Sequence, residues 1–463
     1  MFRHKSLLLY KKMKIFSFIR NYFKIIEKQG EKMIEKRGVI EGFYGIPWSF
    51  EERMSMVEFL SDIGMNRYVY APKDDPYHNI KWREPYPADK LKELEKLADF
   101  SNKKDVDFVW AIHPGQNLID FSSYDEEIAK LFAKYDSLYE IGIKSFALCM
   151  DDIDRNLAYE QRDFHKKLVK DIIEHLSKFE NKELLFVHPW YNSAWIDDKG
   201  EEYFKLFRNV ENLSIMWTGY DVVVPITKKA NDRFTELSGK SADIWFNWPV
   251  NDYLRDQIFM EVFEFFDSSE INYKSLLSNP MNQAELSKIS IYQIESFLEN
   301  PNEYNPIQAF KKALAYVDRN VKDELFIIAN SFFGSGVYDR CKEKKYLEDQ
   351  EIFKAYEKRD FEKLSYLIEE KIKAIDSYFE NYSNQKLYEE VRPFFMSLKF
   401  LLEAINYLLK KDYEKAKSTY KKTETCKVKI LTEFTNDKFE ERIVKTSRVL
   451  DEIYQALLEK GEI

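Results

Sequence analysis

The chain has 463 residues, which suggests two or three domains, and a hydrophobic content of 44% is ample for folded cores. Its net charge of −9 offers no general attraction for nucleic acid, and no apolar run approaches the length of a membrane span. The three cysteines and six histidines show no metal-ligand spacing, so a disulfide framework, a bound metal and a cofactor are not expected.

Residues 1–36 are a basic N-terminal segment. Its apolar pieces, Leu7-Leu8-Leu9 and Ile15 to Ile19, are too short for a signal-peptide core and are broken by charge. The segment reads as a solvated helical lead-in, with membrane contact not expected. With the sparse cysteines it points to a cytoplasmic protein.

From residue 37 to 297, short apolar runs alternate with amphipathic stretches. In order the runs are Gly38-Val39-Ile40, Tyr68-Val69-Tyr70, Phe108 to Ile112, Phe146 to Met150, Leu184 to Val187, Leu213 to Trp217, Ile244-Trp245-Phe246 and Ser275-Leu276-Leu277. Each of the first seven is followed by a stretch with helical spacing, such as Phe50 to Ile63 or Ala88 to Asn102. Eight such units over about 260 residues predict an α/β fold, a (β/α)8 TIM barrel. An open doubly wound sheet would usually show a Gly-rich phosphate turn after its first strand, and none is visible.

The character then changes. Residues 298–463 carry long helical patterns, Asp360 to Glu380, Gln385 to Leu409 and Asp412 to Phe434, and predict an all-α helical bundle. This region holds no constellation of catalytic residues. Its expected roles are packing, support of the barrel, and oligomer contact.

Barrels of this kind gather their catalytic residues at the C-terminal ends of the strands. The most informative end is Ser145 to Asp154, SFALCMDDID, where an apolar run stops on Asp151 and Asp152. Two carboxylates held together can divide acid and base roles, although Asp also suits a helix cap or a turn. The other ends carry Gly42, Lys73, His113, Tyr191, Thr218, Asn247 with Asp252, and Asn279. Singly, Tyr191 and Trp245 read as core, Asn279 and Asp252 as caps, and Lys73 as a surface ion-pair partner. Jointly they have the composition of a sugar site. Pyranose C–H faces stack on aromatic rings, and hydroxyls pair with Asp, Asn and Lys.

Six blocks, VIEGFYGIPW, YVYAPKDDPYH with WRE soon after, SFALCMDDID, MWTG, IWFNWPVNDY and LLSNPMN, follow one another in order and spacing. Together they resemble glycoside hydrolase family 84, the β-N-acetylglucosaminidases that include protein O-GlcNAcases. The resemblance implies a retaining exo-acting hydrolase whose nucleophile is the 2-acetamido oxygen of its own substrate, with an oxazoline intermediate. It implies that Asp151 orients the acetamido N–H and that Asp152 is acid and then base. Gly42 and Lys73 would meet sugar hydroxyls. Tyr191, Thr218, Val222 and Trp245 would wall the N-acetyl pocket, and Asn247, Asp252 and Asn279 would bind hydroxyls. Asp154 would hold the turn. The partner is then a GlcNAc-bearing glycoprotein, glycan or glycopeptide. One departure stands out: the family's Pro-Thr-Glu-Tyr is His188-Pro189-Trp190-Tyr191 here, with the proline displaced by one. An endo-acting hyaluronidase-type enzyme and a non-catalytic GlcNAc-binding protein are the alternative readings.

Overall fold

Eight strands, β1 (Lys36–Glu41), β2 (Arg67–Tyr70), β3 (Asp107–Ile112), β4 (Ser145–Cys149), β5 (Leu184–Val187), β6 (Leu213–Trp217), β7 (Asp243–Phe246) and β8 (Ser275–Ser278), close in chain order into a parallel barrel. The structure is a computed structural model that describes residues 34–73, 75–341, 344–433 and 438–460. Nearly all of the basic 1–36 segment lies outside the described residues. Closure is complete because β1 pairs with β2 on one side and β8 on the other.

The continuous apolar runs follow from burial on both faces of each strand. Ala147 and Cys149 of β4 point into the barrel with Val109, Ala111, Leu185 and Val187. Phe146 and Leu148, one residue out of phase, are also buried, as strands covered by an outer ring of helices require. The N-terminal end of the barrel is polar: Arg67 pairs with Asp107 at 2.8 Å, and Ser275 donates to Asp243.

Local signals set the helix ends. The helix Phe50–Ile63 begins with a capping box between Ser49 and Glu52 and stops at Gly64, whose φ of +91° few other residues adopt. Its face of Met56, Val57, Phe59 and Leu60 is buried.

Two expectations of helix are corrected. After β7 the chain runs to β8 without an α-helix, through one short 3-10 turn at Ser268–Glu270. The reason is burial. Ile258, Phe259, Met260, Val262 and Phe263 are all buried in succession, so this segment has no polar face to turn to water. The stretch from Asp412 is α-helical only over Tyr413–Tyr420 and ends in a 3-10 turn at Lys421–Thr425. Lys427–Glu433 (β9) and Lys438–Ile443 (β10) form an antiparallel hairpin. Here Val428 and Ile430 alternate with exposed Lys427 and Lys429, a period of two that suits a strand. The helices Phe361–Asn381 and Gln385–Leu409 stand where the pattern predicts them.

The described residues from Lys36 onward form one compact unit. Glu261, fully buried in the segment after β7, is a major tie. It accepts from Gly334 N at 2.8 Å, Ser335 N at 2.7 Å, Ser335 Oγ at 2.6 Å and Trp248 Nε1 at 2.7 Å. Glu261→Ala leaves those donors without a partner. Its stability, measured by urea unfolding, should fall by about 3 kcal/mol.

Candidate active site

The site begins with how β4 ends. Met150 N still donates to Val187 O at 2.7 Å, which holds the strand direction for one more residue. Asp151 follows, 5% exposed. Asp152 then adopts φ +57°, the left-handed region that Asp tolerates better than most residues. Successive strand residues point to opposite faces. The left-handed turn breaks that alternation, and both carboxylates line one cavity. Asp154 accepts from Leu157 N and caps the helix Arg155–Glu160, so it fastens the turn. Gly115 closes the site from behind, because a Cβ there would stand 2.4 Å from Met150 Cα.

The two acids differ in their surroundings. Lys73 Nζ donates to Asp151 Oδ2 at 2.8 Å, and His113 Nε2 lies 3.2 Å from Asp151 Oδ1. Burial alone would raise the Asp151 pKa, but His113 and Lys73 outweigh it and hold the carboxyl well below its usual range. Lys73 is buried too. Burial works against its charge, yet Asp151 and its other neighbours hold its pKa above the ordinary value. Its ammonium also lies 5.7 Å from the Tyr44 ring centroid and 5.9 Å from that of Trp245. The His113 hydrogen is aimed at the Asp151 carbonyl, which leaves Oδ1 without a directed donor and free to accept one from a ligand.

Among the described residues Asp152 has no ion-pair partner, and Lys73 acts on it only from a greater distance. Asp152 Oδ2 accepts from Tyr44 Oη at 2.7 Å and its Oδ1 from Tyr191 Oη at 3.2 Å. Burial and the Asp152 carboxylate push both phenols above their usual pKa, so they remain donors.

Lys73, Asp151, Asp152, Tyr44 and Tyr191 face a cavity of about 190 Å³. Gly42 and Trp245 form one wall. A Cβ on Gly42 would reach 2.4 Å from Trp245 Cζ2, so only glycine lets the indole lie there. Asn247 organises the far side: its Oδ1 accepts from Trp245 Nε1 and from Asn279 Nδ2, both at 2.9 Å, and its Nδ2 donates to Val222 O at 2.8 Å. Asn279 Oδ1 is thereby left buried without a protein partner, an acceptor for a ligand. Asp252 Oδ2 accepts from Tyr44 N at 2.9 Å. Thr218 and Val222 complete the lining, with the Thr218 hydroxyl spent on Asp221 O and Tyr191 O.

The cavity thus brings together every site residue singled out in the sequence. The displaced proline leaves Tyr191 in reach of Asp152, because Thr218 N, Ser193 N and Ala194 N tie the β5 and β6 loops by backbone bonds. Sequence reasoning placed His113 at a strand end but gave neither it nor Tyr44 a role. Both stand at strand ends, but an aromatic or a histidine there reads equally as core. A larger cavity of about 910 Å³ opens elsewhere, and no barrel-strand end reaches it.

Residues 37–330 match the family model described as beta-N-acetylglucosaminidase. The chain belongs to that family, glycoside hydrolase family 84. It is 28% identical over 284 residues to the proteins named Protein O-GlcNAcase of Rattus norvegicus and Mus musculus. That match covers 57% of this chain and 30% of each relative, so the chain spans less than a third of their length. Among solved structures, CpGH84D is similar with a TM-score of 0.76 at 26% identity, over 92% of this chain and 74% of that one. A mutant of the O-GlcNAc hydrolase of Thermobaculum terrenum has a TM-score of 0.76 at 22% identity, over 92% and 95%, a likeness of fold.

The close approach at Gly42 yields a test. Gly42→Ala must displace the Trp245 indole and with it the Asn247 bond. Sugar affinity, measured by calorimetry with GlcNAc, should fall about tenfold or more while the melting temperature changes little.

Proposed function

We propose that the chain is a retaining exo-β-N-acetylglucosaminidase that removes terminal β-linked GlcNAc from a glycoprotein, glycan or glycopeptide. The observation that carries this reading is the unequal pair of acids in one small cavity. Asp151 is locked as an anion against Lys73, whereas among the described residues Asp152 is held only by two phenol hydroxyls.

An anion already bound to an ammonium is a poor nucleophile. It is well suited to face a developing positive charge. The substrate's 2-acetamido group supplies the nucleophile instead. Its carbonyl oxygen attacks C1, the bond from C1 to the leaving oxygen breaks, and the Asp152 proton goes to that oxygen. The oxazoline so formed carries charge on its N–H, which the free Oδ1 of Asp151 accepts. Water then attacks C1 and gives its proton to Asp152, the ring opens, and β-GlcNAc leaves with retained configuration. The nucleophile is already part of the bound sugar, so the step gains the high effective molarity of an intramolecular attack. This is the exception to the two-carboxylate rule for retaining glycosidases.

The cavity size supports action at a chain end. Pockets for drug-sized ligands run to about 300–1,000 Å³. This one, at about 190 Å³, suits one sugar ring, closed by Asn247, Asp252 and Asn279. The roles carried to the other residues are that Lys73, Asp252, Asn247 and Asn279 hold hydroxyls, while Tyr191, Val222 and Trp245 enclose the acetamide.

Two variants test the division of labour. Asp152→Asn should lose about a thousandfold or more on β-GlcNAc substrates with poor leaving groups and far less on nitrophenyl substrates, which need little protonation. Equal, mild losses on both would refute the acid role. Asp151→Asn should lose on both classes, and parent-like activity would refute the acetamido role. Rates from stopped aryl-glycoside assays decide each case.

A further inference from the structure

The imidazole of His113 is fully buried, lies outside the six sequence blocks, and sits between the two charged groups of the site. Its ring has two nitrogens and three polar neighbours. Nδ1 lies 3.2 Å from Lys73 Nζ. Nε2 lies 3.1 Å from the carbonyl oxygen of Asp151 and 3.2 Å from its Oδ1. An ammonium can only donate, so Nδ1 must be the acceptor and the ring hydrogen must sit on Nε2. From there it serves Asp151 alone.

The carbonyl at which it is aimed belongs to the peptide that leads into Asp152, the residue at φ +57°. One N–H therefore steadies the backbone that joins the two acids, and its nitrogen lies 3.2 Å from the Oδ1 of the first. The geometry points to His113 as a positioning residue for both carboxylates, with its tautomer set by Lys73, a role that rests on the substrate-assisted reading above.

The surroundings leave the ring little else to do. The titratable groups around it are Lys73 and His78 from the β2 loop, Cys149, Asp151 and Asp152 at the end of β4, and Tyr44 across the cavity. His78 packs with a ring separation of 5.7 Å and is turned away, its Nδ1 donating to Ala111 O at 2.6 Å. Burial holds its pKa well below the usual value, so it adds no charge. The backbone N of His113 donates to His78 O at 2.8 Å, and Asn79 Nδ2 donates to Lys73 O at 2.5 Å. The β2 and β3 loops thus present Lys73 and His113 to Asp151 as one assembly.

Two substitutions separate positioning from packing. His113→Gln keeps a donor and an acceptor, whereas His113→Leu loses both. The Leu variant should lower kcat on an aryl β-GlcNAc about 30-fold with KM within about threefold, because the disorder is felt where charge develops. The Gln variant should stay within about fivefold of the parent. A bicyclic thiazoline that copies the oxazoline should lose more affinity for the Leu variant than GlcNAc does, whereas general loosening would weaken both alike. Parent-like kcat in the Leu variant, or a Gln variant as damaged as the Leu variant, overturns the proposal.

A measurement without substrate stands beside these and holds even if the Leu variant fails to fold. In histidine-labelled parent protein, 15N NMR should show the Nε2–H tautomer for His113, assigned by the signal missing in the Gln variant. An Nδ1–H ring or a doubly protonated one overturns the proposal, whatever the chain cleaves. An Nε2–H ring in a protein that cleaves no β-GlcNAc substrate upholds the arrangement and sinks only the reading of function.

Discussion

A carboxylate enclosed in protein keeps its charge only if its surroundings replace the water it has lost. For Asp151 the replacement is the Lys73 ammonium, 2.8 Å away, with both side chains nearly out of contact with solvent. The pair joins the loops of β2 and β4 across β3, so it can form only in the closed, registered barrel. Attraction at that distance is strong in a low dielectric, but the desolvation of two ions offsets much of it. The pair is therefore better understood as a device that fixes charge and position than as a source of stability. The rest of the cavity is arranged around it. The rings of Tyr44 and Trp245 approach the ammonium, and Asp152 accepts from two phenols instead.

That placement of Asp152 depends on one unusual dihedral. Had the chain continued as a strand, the second carboxylate would have turned away from the first. The left-handed residue keeps both on the same side, and the Asp154 cap and Gly115 make the turn affordable by holding its two flanks. The acids thus differ through their neighbours and not through their own chemistry.

Much of this was legible in the chain. The barrel showed because strands covered on both faces leave continuous apolar runs, and the helix Phe50–Ile63 showed through the helical spacing of its apolar residues. The cavity residues were legible because barrel closure gathers strand ends regardless of their distance along the chain. Where reading failed, a local pattern met an environment it does not encode. The segment Ile258 to Phe263 has apolar residues on every side because the barrel and the later helices both cover it. In Lys427–Ile443, dense lysine and glutamate masked a period of two. Tyr44 and His113 were given no role for a third reason: a sequence shows that a side chain stands at a strand end, but not which neighbour it will face.

The bonds to Glu261 bear on where the molecule can be divided. Beside them, Arg340 pairs with Asp221 at 3.0 Å and donates to Val223 O, and Gly336 N donates to Tyr253 Oη at 2.7 Å. Each of these reaches a loop that borders the cavity wall. A chain ended at residue 297 would retain all eight strands and both acids. It would nevertheless strip three of the four donors from a buried carboxylate and cut the anchors of the β6 and β7 loops. The cavity would keep its floor and lose the support of its rim, so the catalytic barrel and its minimal working fragment are different lengths of chain.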